Sequence, residues 1–337
     1  MEYINKKIKY PLYSSRAFDM YFHGMDIGVL DIETTGLSPK NSAFILGGLV
    51  TPEEDGLNAE QFFAESPAHE HETLSEFWKT ASSKDILITF NGQHFDLPFM
   101  KERAGGMIDS FPYHLDLYQV VKKFSPIRKF LPNLKQKTIE DFLGLWQYRK
   151  DEISGGESVE LYYRYLNGKN QDIKEKILLH NHDDIVQLYR LLKVLEKTEI
   201  HKAMFHMGFP VKSPAPAAPY LIIEKIDIKS DQLRITGRQH RDPAEYQAYE
   251  YNGNMCFINF NKADLRFSID MPLISHSEMT LLDLEAFGFA GSELDKYPAC
   301  QEGFLILEDR GETNYLEINH FVKLLIERMI KQWITDR

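Results

Sequence analysis

Three short apolar segments, followed by a change of rhythm, constrain this chain more than any other feature. MDIGVLDIE (25 to 33), AFILGGLV (43 to 50) and LNAEQFFA (57 to 64) each have the length and apolar content of a strand. A turn at Ser38-Pro39-Lys40-Asn41 separates the first two. Consecutive strands joined in this way predict an antiparallel meander. Helical and extended patterns then alternate. HETLSEFWKTAS reads as a helix, DILITFN as a buried strand, DLPFMKERAG as a helix with Pro98 in its first turn, and YHLDLY as a short strand. KTIEDFLGL, VELYYRYLNG and DIKEKILLHNHDDIVQLYRLLKVLEKT follow as amphipathic helices, the last ending near Thr198. A meander continued by βα units predicts a mixed sheet flanked by helices.

The expected organisation has four parts. Residues 1 to 23 read as an irregular or clasping arm, and residues 24 to 200 as the α/β domain. Residues 201 to 219 read as a linker ending in SPAPAAP. Residues 220 to 337 read as a smaller β-rich domain, with strands at YLIIEKIDI, DQLRITGR, MCFINF, LRFSIDM, GFLILED and TNYLEIN. FVKLLIERMIKQWI closes it as an amphipathic helix. A length of 337 residues and a hydrophobic content of 43% suffice for two such cores.

The net charge of −11 argues against coating nucleic acid or an anionic membrane by bulk charge. It leaves open a local anionic site that works through bound metal. The N-terminal residues form no continuous apolar signal, and no stretch approaches the ~20 apolar residues of a membrane span. A soluble cytoplasmic protein without a membrane partner is therefore expected. Cys256 and Cys300 form no CxxC pair and read as reduced thiols.

Four carboxylates stand out. Asp31 and Glu33, in LDIETTG, are two apart on a strand, so both face one side and can reach one metal. Asp96, in FNGQHFDLPF, sits at a strand-to-helix junction, and Asp184, in HNHDDI, lies on the long helix. This oxygen-rich, sulfur-free set suits Mg²⁺ or Mn²⁺. Crowded carboxylates repel one another unless divalent cations neutralise them, and a pair of such ions can drive phosphodiester hydrolysis. His180 is one helical turn before Asp184, where it could take a proton from an attacking water.

DIETTG, NGQHFD and HNHDD, in that order, resemble the three motifs of the DEDD exonuclease superfamily. LKQKTIEDFLGL, DEISGGESVELYYRYL and ILLHNHDDIVQL are similar to the YprB-type ribonuclease-H-like exonucleases in particular. The resemblance spans roughly residues 24 to 200. It implies a ribonuclease-H-like α/β fold, 3′-5′ exonuclease activity on single-stranded DNA or RNA, and two bound metal ions. It implies that Asp31, Glu33, Asp96 and Asp184 are the metal ligands. It also puts His180 where the tyrosine subgroup has its tyrosine. The histidine subgroup usually keeps four residues between histidine and aspartate, a spacing that here runs from His180 to Ile185. Asp183 is the alternative ligand next to Asp184.

Further substrate contacts are expected at several positions. Thr34, Thr35 and Gly36 either shape the mouth that admits a terminal nucleotide or simply form a turn. Asn91 is a candidate contact, although Asn-Gly also marks turns. Residues 121 to 137 carry Lys122, Lys123, Arg128, Lys129, Lys135 and Lys137 without an acid. The charges read as a phosphate-contacting patch, and the interleaved Phe124 and Phe130 as core. His182 reads as a solvated helix residue, and Asp116 as a strand-end residue or one that supports the ligands rather than binding metal itself. Tyr246, Tyr249 and Tyr251 read as packing residues rather than a stacking platform. The rival from another class is an inactive module that binds nucleic acid or protein on the same fold.

Overall fold

The structure is a computed structural model that describes residues 1 to 150, 153 to 212, 219 to 229 and 231 to 335. The first part of the chain runs β1 (Glu2–Ile8), α1 (Arg16–Phe22), β2 (Ile27–Thr34), β3 (Phe44–Glu53), β4 (Gly56–Phe63), α2 (Glu70–Ser82), β5 (Ile86–Thr89), α3 (Asp96–Arg103), β6 (Tyr113–Asp116) and α4 (Leu117–Phe124). Then come α5 (Gln136–Phe142), α6 (Gly155–Gly168) and α7 (Gln171–Arg190). The chain divides into two compact units. One holds residues 1 to 15 and 25 to 198, the other residues 16 to 24 and 199 to 337.

The first unit is built on a six-stranded mixed sheet in the order β1-β4-β3-β2-β5-β6. The expected meander β2-β3-β4 is antiparallel, and β5 and β6 add to it in parallel. Adjacent residues of a strand face opposite sides, and the Gly47-Gly48 pair of β3 uses this. A Cβ on Gly47 would come 2.5 Å from the ring of Phe77, on α2. A Cβ on Gly48 would come 2.3 Å from Oδ1 of Asn181, on α7. Two bare positions thus let a helix approach closely on each face. On the α2 side, Leu30, Phe44, Phe62, Phe77, Phe99 and Met100 form one core. Ile45, Phe63, Tyr162, Tyr165 and Ile177 form the other, beneath α6 and α7.

The second unit contains α1, α8 (Ile200–Met207) and an antiparallel sheet of six strands. The strands are β7 (Phe209–Lys212), β8 (Tyr220–Ile228), β9 (Gln232–Arg241), β10 (Tyr246–Tyr251), β11 (Asn254–Asn261) and β12 (Arg266–Pro272), in the order β10-β11-β12-β9-β8-β7. A smaller sheet around Phe304–Asp309 and the helix α9 (Tyr315–Thr335) complete it.

Four expectations are corrected. The irregular arm is instead β1, paired along its length with β4, and the short helix α1. β1 hid from the sequence because an edge strand buries few side chains and so carries no apolar run. The expected linker over 201 to 219 is largely α8 and β7, with Ala203, Met204, Phe205, Phe209 and Val211 buried. Its Pro/Ala-rich residues 213 to 218 lie outside the described residues. TNYLEIN is not a strand, because α9 begins at Tyr315 and its buried stripe of Ile318, Phe321, Val322, Leu325, Ile326 and Met329 has helical spacing. Finally, the tyrosines of β10 do not pack alike. Tyr251 is buried while Tyr246 and Tyr249 are exposed, and a register shift between Ala248 and Glu250 separates the two environments. Cys256 and Cys300 are both free thiols. Among the described residues, no helix is long and apolar enough to cross a membrane.

Candidate active site

β2 pairs with β5 only as far as Val29 and Ile88, then runs on to Thr34 paired with β3 alone. This parting of parallel strands at their carboxyl ends opens a crevice. Asp31 and Glu33 project from the part of β2 that β5 does not reach, and Asp31 lies opposite Gly48 of β3 in register. Asn181 of α7 fills the space that Gly48 leaves. Its Nδ2 lies 3.4 Å from Oδ2 of Asp31, and its Oδ1 accepts from Gln61 Nε2 at 3.0 Å.

Asp96 is the first residue of α3, and its Oδ1 accepts the backbone N–H of Ile32 at 3.2 Å, a group that β5 no longer reaches. The turn before it is fixed by Asp116, whose carboxylate accepts the N–H groups of Asn91 at 2.8 Å and Gln93 at 3.1 Å. The same carboxylate caps α4 by accepting from Tyr118 and Gln119. Asp116 is thus the strand-end residue expected.

α7 brings His180 and Asp184 from the opposite side. His180 Nε2 lies 3.6 Å from Glu33 Oε1 and 3.5 Å from Asp184 Oδ2. One ligand atom from each of Glu33, His180 and Asp184 falls within 4.8 Å of the others. Asp31, Glu33, His180 and Asp184 all line one cavity of about 880 Å³. Asp183 faces elsewhere, accepting the N–H of Lys150. His182 is only partly exposed, less solvated than its sequence position implies.

Charge is concentrated here. Burial, then repulsion from Asp96, Asp184 and Glu33, raises the Asp31 carboxyl well above the carboxylate range. Burial likewise lifts Glu33 to about 7, against the pull of His180. Asp96 is also lifted by burial to about 7, despite backbone N–H bonds that favour its anion. Carboxyl groups that resist ionising together, joined by an imidazole, fit a hard divalent cation.

Two partners of this site, the buried Arg149 side chain and the half-buried Gln136, were not legible in the sequence. Arg149 donates to both oxygens of Glu140, at 2.7 and 2.9 Å, and pairs with Asp184 Oδ1 at 2.6 Å. Gln136 Nε2 bridges Glu140 Oε1 at 2.8 Å and the carbonyl of Asp184 at 3.3 Å. Gln136 lies in the LKQKTIEDFLGL segment but carries no role there by itself, Arg149 lies outside the quoted motifs, and the hydrogen bonds of both to residues of α5 and α7 bring them into the site.

The expected substrate contacts divide. Thr34, Thr35 and Gly36 do line the cavity. They are also turn residues, because Thr34 Oγ1 donates to the Gly36 carbonyl and Thr35 Oγ1 accepts from Ala43 N. Asn91 is outside the cavity wall, in a left-handed turn (φ 68°) tied to Asp116. Within the basic segment, Lys135 and Lys137 reach the wall, whereas Lys122, Lys123, Arg128 and Lys129 are exposed away from it. The reason is that α4 and the turn after it follow β6, while α5 turns back toward α7. Phe124 is core as expected, but Phe130 is 75% exposed.

Residues 29–196 match the model of the RNase_H superfamily. These residues form a ribonuclease-H-like domain. The chain is 28% identical over 171 residues to the uncharacterised protein YprB of Bacillus subtilis (strain 168), covering 48% of this chain and 40% of YprB. It is 26% identical over 186 residues to the uncharacterised protein MJ0365 of Methanocaldococcus jannaschii, covering 50% of this chain and 93% of that one. Among solved structures, the family B DNA polymerase of Pyrobaculum calidifontis overlays with a TM-score of 0.38 at 16% identity, over 62% of this chain and 34% of the polymerase. An exonuclease I structure overlays with a TM-score of 0.35 at 9% identity, over 63% of this chain and 55% of the enzyme. Both overlays are partial. The ribonuclease-H-like domain thus accounts for about half of the chain, and the matched relative YprB extends well beyond it.

Proposed function

We propose that the ribonuclease-H-like domain is a metal-dependent 3′-5′ exonuclease acting on single-stranded DNA or RNA. The observation that carries this reading is the meeting of Asp31, Glu33, His180 and Asp184 on one cavity wall where β2 and β5 part. In this reading Asp31, Glu33, Asp96 and Asp184 hold two Mg²⁺ or Mn²⁺ ions. Such ions would supply Lewis-acid stabilisation of the charge that builds up at the scissile phosphate. His180, within reach of Glu33 and Asp184, takes the proton of the attacking water. Lys135 and Lys137 neutralise phosphate at the cavity wall. Leu37, 85% exposed at the same wall, offers an apolar contact to the terminal base. The 3′-5′ direction follows the family resemblance.

The test is a time course on single-stranded DNA and RNA labelled separately at each end, with Mg²⁺, Mn²⁺ or chelator. Stepwise, metal-dependent shortening from the 3′ end is expected. Asp31→Ala and Asp184→Ala should each lower the rate by at least about 100-fold, since even outer partners of a metal site are worth roughly 10–100-fold. Circular dichroism should show both variants folded. Full activity in either would overturn the assignment. Absence of cleavage by the folded wild-type protein with metal would favour the binding module.

A further inference from the structure

Trp146 is exposed yet held firmly beside the candidate active site. It opens a single 3₁₀ turn, Trp146–Tyr148, and is 44% exposed. The residue before it is anchored to α7, because the Leu145 carbonyl accepts from Gln187 Nε2 at 2.8 Å and Leu145 itself is buried. Just after the turn, Arg149 is fixed by Glu140 and by Asp184, also of α7. The indole therefore sits between two points pinned to the helix that carries His180 and Asp184.

Two cations of the cavity wall lie against its ring. Lys137 Nζ is 5.9 Å and the Arg149 guanidinium carbon 5.8 Å from the centroid. Tyr148 is used differently, since it packs on Arg190 at 4.6 Å, which braces the far end of the turn. A flat, exposed aromatic on a rigid mount, against two cations that line the cavity, is an arrangement that suits unpaired bases. Every base offers a π-face, while Lys137 at the cavity wall meets phosphate between bases. A duplex keeps its bases stacked inside and offers no such face.

Resting on the nuclease reading above, we propose that Trp146 stacks on an unpaired base of the strand whose end enters the cavity. The substrate is then single-stranded beyond its terminal nucleotide. Recognition there is indifferent to base identity, because stacking is.

The experiment uses the full chain in chelator and fluorescein-labelled 12-nucleotide oligothymidylate, oligouridylate and a blunt duplex, read by anisotropy. Trp146→Ala and Trp146→Leu should weaken binding of the preferred single strand by about 5- to 150-fold, the value of one base–aromatic stack, while Trp146→Phe keeps most of the affinity. Leucine retains apolar bulk without a π-face, so a loss there separates stacking from local packing. Unchanged affinity in the alanine and leucine variants, or wild-type binding of the duplex as tight as of the single strand, would overturn the proposal. Turnover of the p-nitrophenyl ester of thymidine 5′-monophosphate by the wild-type protein in Mn²⁺ tests the nuclease reading separately. Cleavage with Trp146-independent binding sinks the stacking proposal alone, and Trp146-dependent binding without cleavage sinks the nuclease reading alone.

Discussion

Arg149 illustrates how much depends on single residues here. Its guanidinium joins Glu140 to Asp184, and the Glu140 side chain has no exposed area. Removing one partner of a buried pair strands the other charge in a low-dielectric setting, which is worse than removing both. Arg149→Met should therefore cost about 3–5 kcal/mol of stability in urea unfolding with chelator present. Adding Glu140→Gln to it should restore most of that loss. Equal stability of the single and double variants would show that Glu140 is not left stranded. Sequence reasoning reached the carboxylates because they sit in short motifs on β2, α3 and α7. It could not reach Arg149, Gln136 or Asn181, each of which acquires its role from a contact across elements.

At the scale of elements, β6 shows how one strand end builds the site without touching the cavity. Asp116 accepts the N–H groups of Asn91 and Gln93 and caps α4, so it fixes both the turn that delivers Asp96 and the helix that follows. Asp116→Ala should cost at least the roughly 0.5–2 kcal/mol of a lost helix cap, with a further penalty for the turn N–H groups left unpaired. Because the turn leads into Asp96, kcat/KM in the exonuclease assay should fall as well, and Asp116→Asn should retain part of both. A fall in melting temperature with unchanged turnover would show that the turn does not position Asp96. Helices and strands with strong periodicity were legible, as α7 and β8 show. β1 was not, because its outer face is polar, nor was the start of α9, where one turn of a helical stripe imitates strand alternation.

For the molecule as a whole, the first 24 residues are structural in both units. β1 covers the edge of β4 in the first unit. In the second, the fully buried Tyr21 of α1 accepts from Asn319 at 2.9 Å and bonds His201 Nδ1 at 2.8 Å. A chain starting at Met25 should express mainly as aggregate, since it exposes the β4 edge and leaves buried polar groups without partners. Soluble yield and melting temperature measure this directly. A truncated protein as soluble and stable as the full chain would return these residues to the status of a dispensable arm.

By itself, the sequence determined the mixed sheet, the order of its elements and the carboxylates at their ends. Those signals are local, since periodicity, turn residues and motif spacing all lie within a few positions of one another. Only the tertiary structure decided which basic residues reach the cavity, that Arg149 and Gln136 brace Asp184, and that the N-terminal residues are shared between two units. The physical reason is that charge pairing and burial depend on distance in space. In this fold, groups far apart along the chain, such as Asp31 and Asn181, come into contact because Gly48 leaves room for them.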